Sequence, residues 1–170
     1  MVVGMLAMDT TVSGERATPQ RDPVRVELWI PNGKHDEFEP VIQRLDEVAE
    51  RGTVETYDVE TWNRFIDLSG ELTPRESRIR ERLSSYARWA ATHGEELSGL
   101  GDPVVRGVGR MGPERVTRRT PRAVMAEYED GILTHVTACE ECVGALRSRL
   151  HALDSAVEPA SSSEPLRLKW

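Results

Sequence analysis

Thr120-Pro121-Arg122-Ala123-Val124-Met125-Ala126-Glu127-Tyr128-Glu129-Asp130-Gly131-Ile132-Leu133-Thr134-His135-Val136 is the stretch whose reading decides the fold, and Thr137-Ala138-Cys139-Glu140-Glu141-Cys142 continues it. Asp130-Gly131 separates two short runs rich in apolar residues. A two-residue turn between strands requires positive φ at both central positions, which Asp and Gly tolerate, so the sequence predicts a β-hairpin. Thr137 followed three residues later by Glu140 reads as a capping box. Val143, Leu146, Leu150 and Leu153 then recur at helical spacing, predicting a helix that begins just after Thr137.

Upstream, Val24, Val26, Leu28 and Ile30 alternate with Arg25, Glu27 and Trp29, predicting a strand with one apolar face that ends at Pro31-Asn32-Gly33. Asp36 is placed to cap a helix with Glu39 at the capping-box position, and Phe38, Val41, Ile42, Leu45, Val48 and Ala49 form its apolar stripe. Gly52 stops it, and residues 53–59 read as a second strand, completing a βαβ unit. Residues 62–68 fit either a helical turn or a loop that packs two aromatics. Thr73-Pro74-Arg75-Glu76 joins a capping box to Pro at the first helical position, and Ile79, Leu83, Tyr86, Ala87 and Ala90 follow on one face until Gly94. Residues 104–108 and 115–120, joined through residues 109–113, read as an extra hairpin or an extended insertion. Insertion aside, the expected order is β-α-β-α-β-β-α, an α/β fold over residues 23–154. Residues 1–22 and 155–170 lack periodicity and are expected to be a loose N-terminal tail and a flexible C-terminal one.

A chain of 170 residues suits one domain with a sizeable core. The apolar start, Met1 to Met8, is short, lacks a basic beginning and runs into Asp9-Thr10-Thr11, so neither a membrane span nor a signal peptide is expected and the chain reads as cytoplasmic. The net charge of −7 argues against a general grip on nucleic acid unless the basic residues segregate. Arg106, Arg110, Arg115, Arg118, Arg119 and Arg122 form one local patch, either a basic edge or a solvated hairpin.

The element order resembles the thioredoxin-like fold. Trp29-Ile30-Pro31 stands where thioredoxins carry their Trp-Cys-Gly-Pro-Cys segment, Thr120-Pro121 is similar to the family's cis-proline, and Glu129-Asp130-Gly131 matches its hairpin turn. The resemblance implies a three-layer β-α-β-α-β-β-α domain with an insertion before the last hairpin. Pro31-Asn32-Gly33-Lys34-His35-Asp36 contains no sulfur, so the family's disulfide exchange has no means at that position. A redox-inactive binding or regulatory module with a protein partner is therefore expected rather than an enzyme. Its face would combine Pro31, Asn32, His35, Thr120, Pro121 and Thr137 with residues 135–142. The chain also resembles a group of small haloarchaeal proteins, some described as helix-turn-helix proteins, through its strand-and-helix opening, Trp62, Ala87-Arg88-Trp89-Ala90 and Ala126-Glu127-Tyr128-Glu129-Asp130-Gly131. Its helices are separated by strands or long loops, so no helix-turn-helix is expected.

The two cysteines admit three readings. His135, Cys139 and Cys142 have a spacing that could hold zinc, with His151, His93 or a carboxylate as fourth ligand. Cys139 and Cys142 in the first turn of the last helix could form a redox pair, the helix dipole favouring the thiolate while Glu140 and Glu141 oppose it. Alternatively, Cys142 packs as a small apolar residue and Cys139 is incidental. His35 beside Asp36 fits an acid–base pair or a solvated turn, and Trp29 with Trp62 fits a binding surface or core. The sequence assigns no oligomeric state, and no Gly-rich phosphate loop or Ser/His/Asp arrangement stands out.

Overall fold

The Asp130-Gly131 hairpin forms as its signature predicts. Asp130 has φ 51° and Gly131 φ 74°, and the turn is closed by the Glu129–Ile132 pair, a geometry with positive φ at both central residues. A computed structural model of the chain describes residues 22–107, 114–141 and 143–156. In chain order the elements are β1 (Val24–Pro31), a 3₁₀ turn (His35–Phe38), α1 (Glu39–Glu50), β2 (Val54–Trp62), β3 (Phe65–Asp67), α2 (Pro74–Thr92), β4 (Val104–Arg106), β5 (Arg115–Arg119), β6 (Ala123–Glu129), β7 (Ile132–Cys139) and α3 (Gly144–Ser155). Residues 1–21 of the expected N-terminal tail (1–22), residues 157–170 of the expected C-terminal tail (155–170), residues 108–113 and Cys142 lie outside the described residues, and Ser155 belongs to α3.

The fold is α/β. The main sheet has the order β2-β1-β6-β7, with β1 and β2 parallel, as a βαβ unit requires, and β6 antiparallel to both β1 and β7. On one face Val26, Leu28, Ile30 and Met125 pack with Val41 and Leu45 of α1 and Leu146 and Leu150 of α3. On the other, Trp29, Val124, Ala126 and Tyr128 pack with Ile79, Leu83 and Tyr86 of α2. Each large apolar side chain so buried stabilises the fold by about 1.5–3 kcal/mol.

Both faces of β1 are therefore covered, where alternation alone predicts one. The exception to apolar content is Glu27, fully buried on the α2 face. Arg82 Nη2 donates to it at 3.0 Å and Tyr86 Oη at 3.1 Å. Burial pushes the Glu27 carboxyl up, but Arg82, Tyr86 and Arg25 together outweigh it and hold the group below its ordinary value. A second carboxylate, Glu127, takes a forked pair from Arg149 of α3 at 2.7 and 2.9 Å on the opposite face. Each face thus carries one carboxylate clamped by an arginine from the helix that covers it.

Three local expectations are corrected. The box at Thr73 is present in full, with Thr73 Oγ1 accepting from Glu76 N and Glu76 accepting from Thr73 N, but neither of the other two caps forms. Asp36 lies in the 3₁₀ turn, and α1 starts at Glu39 after Phe38 without a side-chain cap. Thr137 does not start the last helix. It remains in β7 opposite Met125, and β7 runs on to Cys139, paired with Ala123. The ladder already satisfies the backbone there, so α3 begins five residues later, at Gly144, also without a side-chain cap. Cys139 is accordingly a strand-end residue, 2% exposed, on the α1 and α3 side rather than in a first helical turn. The Thr120–Pro121 peptide is trans, since no described peptide bond is cis.

The insertion is more than a hairpin. β4 and β5 pair antiparallel with Arg106 opposite Arg115, and β3, from the ambiguous segment after Trp62, pairs with β5 so that Phe65 faces Arg119. The result is a separate three-stranded sheet, β3-β5-β4. None of the described helices is long and apolar enough to cross a membrane.

Candidate functional site

Three chain segments are tied together where the two sheets meet. Asn32 N donates to Trp62 O at 2.8 Å, Thr120 N to Arg64 O at 2.8 Å, and Thr120 Oγ1 to Asn63 O at 2.8 Å. The loop after β1, the link from β2 to β3 and the link from β5 to β6 are thereby fixed to one another. A fourth segment closes in through glycines. Gly101 N donates to Arg119 O at 2.9 Å, and a Cβ on Gly101 would come within 2.9 Å of Arg119 Cβ. Beneath them the Trp29 and Trp62 rings stack at 5.2 Å and 18°, both almost fully buried, which settles this pair as core.

The tied segments enclose a cleft of about 500 Å³. Pro31, Asn32, Thr120 and Pro121 line it together with Lys34, Trp62, Asn63, Arg64, Arg119 and Arg122, with Glu140 adding a carboxylate. Lys34 falls within the expected residue 31–35 stretch, whereas sequence reading missed Asn63 and Arg64, whose placement depends on the pairing of β3 with β5. Arg122 is engaged by Glu37. Lys34, Arg64 and Arg119 have no carboxylate partner among the described residues.

Arg119, on the cleft lining, also belongs to β5 of the small sheet. Strand alternation puts Phe65, Thr117 and Arg119 on the same side, with Val104 opposite Thr117 and Arg106 opposite Arg115. Phe65 is 43% exposed and Val104 49%. The guanidinium of Arg106 lies over the Phe65 ring at 5.1 Å and that of Arg64 at 5.7 Å. Arg106 also donates to Thr117 Oγ1 at 3.2 Å, while Arg118 points elsewhere and donates to Gly101 O at 2.7 Å. Arg25, Arg44, Arg51, Arg78, Arg82 and Arg149 all reach carboxylates. Arg64, Arg106 and Arg119 form no such ion pair among the described residues, and by register Arg106, Arg115 and Arg119 share one face with Phe65 and Asp67, where the charge of Arg115 acts on the Asp67 carboxyl.

The remaining candidates lie apart from this cleft. His35 is exposed, with Nε2 3.7 Å from Glu39. Thr137 and His135 line a second hollow of about 320 Å³ with Trp89, Glu95 and Glu96. There Trp89 stacks on His93 at 4.0 Å and meets His135 edge-on at 5.1 Å. Burial pushes the His135 imidazole below its ordinary value, and the charge of Arg149 adds to this against Glu127 and Glu95. Among the described residues no three His, Cys, Asp or Glu side chains gather as a metal set. The expected zinc group of His135, Cys139 and Cys142 and the expected redox pair of Cys139 and Cys142 both need Cys142, which lies outside those residues.

A family model described as a helix-turn-helix domain matches residues 18–159. The chain belongs to this family. No curated protein and no solved structure was found to match it. Within the described residues of this family member, α1 and α2 are separated by β2 and β3, and α2 and α3 by four strands. No two α-helices follow one another across a short turn there, and the clustered cations lie on the small sheet and its cleft rather than on a helix pair.

Proposed function

We propose that the chain is a non-catalytic regulatory module on a thioredoxin-like scaffold, without redox thiols in its residue 31–36 loop, that binds nucleic acid through the cleft and the open face of β3-β5-β4. The observation that carries the reading is the segregation of cations. In a chain of net charge −7, Arg64 and Arg106 lie over the half-exposed Phe65 ring, Arg119 pairs with Phe65 in register, and Lys34, Arg64 and Arg119 line the adjoining cleft, none of these four in an ion pair with a carboxylate among the described residues. The expectation against nucleic acid held only for basic residues spread over the surface. Phosphate contacts by arginine and lysine supply most of non-specific affinity, and the family's helix-turn-helix description points to the same class of partner. The strand order β2-β1-β6-β7 with β1 and β2 parallel supports the scaffold assignment.

Binding of a labelled oligonucleotide, followed by fluorescence anisotropy at several salt concentrations, tests the proposal. Affinity should fall as salt rises. Arg64→Glu with Arg119→Glu should weaken binding at least about tenfold and flatten the salt slope by about 0.7 for each phosphate of a single strand that the variant no longer neutralises. Unchanged binding in the double variant, or no binding at about 50 mM salt, would overturn it. Transfer of the same salt-sensitive binding to an acidic peptide instead of the oligonucleotide would make the partner a protein.

A further inference from the structure

We propose that the nucleic acid is single-stranded, with one splayed nucleotide seated in the cleft and a neighbouring base stacked at Phe65. The inference rests on the nucleic-acid reading and specifies which form the face takes. A cleft of about 500 Å³ has the size of a small-molecule site, and its walls are concave on the scale of one nucleotide. Bases held inside a duplex cannot enter such a hollow. The bases of a single strand can, because they are not paired and can turn out of the stack.

The neighbouring sheet face supplies the second contact. Phe65 is half-exposed with the Arg64 and Arg106 guanidinium groups over its ring, and a base can stack on a guanidinium plane as well as on an aromatic ring. The two contacts are contiguous. Arg119 stands opposite Phe65 in register and also lines the cleft, and Arg64 precedes Phe65 in the chain and lines it too. A backbone passing from Phe65 into the cleft would therefore meet Arg64 and Arg119 between its two bound bases. Glu140 on the cleft lining disfavours a phosphate beside it, so the sugar or base edge faces that side. Duplex recognition places a helix or a two-stranded ribbon in the major groove, whereas Lys34, Arg64 and Arg119 line a hollow.

The test compares a labelled single strand with a hairpin duplex of equal length, using the full chain and two variants. Asn32→Trp fills the cleft without removing a cation, since Asn32 is exposed and its backbone N–H to Trp62 O is retained. Phe65→Ala removes the stacking ring, and a thermal melt of each variant verifies that it folds. The single strand should bind at least about tenfold tighter than the duplex, and each variant should lose about tenfold or more on the single strand with little change on the duplex. A duplex bound as tightly as the strand, or single-strand binding unchanged in both folded variants, overturns the inference. If the duplex then still loses affinity in the Arg64→Glu, Arg119→Glu variant, the nucleic-acid reading survives alone. If neither form binds, both fall.

Discussion

Replacing Glu27 with Gln should destabilise the fold by about 2–4 kcal/mol, because the substitution strands Arg82. Glu27 is fully buried, and the Arg82 side chain, 27% exposed, lies 2.9 Å from it through Nε. Nη2 of Arg82 donates at 3.0 Å, and Tyr86 and Arg25 complete the shell at 3.1 and 3.2 Å. Removing one partner of a fully buried pair costs about 3–5 kcal/mol. The partial exposure of Arg82 lets water recover some of that, which lowers the expected cost to about 2–4 kcal/mol. For a chain of this size that is a fall in Tm of about 4–16 °C, readable by circular dichroism at neutral pH. A double-mutant cycle strengthens the test: Glu27→Leu with Arg82→Met should cost less than the sum of the two single changes, since it removes both charges together. A Glu27→Gln melt within about 2 °C of the parent, or strict additivity in the cycle, would refute the idea that this carboxylate anchors α2 to the sheet.

Acid should weaken the fold by two routes with the same sign. Glu27 has a folded pKa below its ordinary 4.5, so its contribution is present above pH 4.5 and is lost as pH falls through the folded value. His135 is held below its ordinary 6.5, so the unfolded chain takes up a proton that the fold resists, and stability declines as pH drops below 6.5. Tm recorded against pH should fall in both windows, and His135→Gln should remove the upper one. Thr73→Ala should cost about 1 kcal/mol in chemical denaturation through loss of the cap on Glu76 N. Gly131→Ala should cost about 1 kcal/mol or more, since φ there is 74°. Glu140→Gln, which removes the carboxylate from the cleft lining, should tighten oligonucleotide binding about twofold and leave Tm unchanged, measured by anisotropy and by melting.

What was legible in the sequence was whatever local chemistry decides. Asp130-Gly131 and Thr73 to Glu76 announce themselves because each motif satisfies its own backbone within four residues. Thr137 and Glu140 have the same spacing as the box at Thr73, yet Thr137 stays in the ladder opposite Met125. A β-branched residue in a strand that already pairs has nothing to gain from capping. The buried status of Glu27 was equally hidden, because a carboxylate in an alternating strand reads as a solvated face until Arg82 arrives from a helix 55 residues away. Pro31, Asn32, Thr120 and Pro121, named from the sequence, are brought together on the lining of one cleft. Arg106, Arg115 and Arg119 were read as a local patch that fitted either a basic edge or a solvated hairpin, but the part of Arg64 was hidden, since it depends on β3 joining β5 and bringing Arg64 beside Arg119, a pairing between short segments with no alternation strong enough to specify it.

The most direct measurement is a map of backbone amide shifts by NMR while an unlabelled oligonucleotide is added to isotopically labelled protein. If the cleft and the open sheet face bind nucleic acid, the perturbed amides fall at residues 32–34, 62–66, 104–106 and 115–122. Perturbations confined to the outer surfaces of α1, α2 and α3, with this face silent, would contradict it.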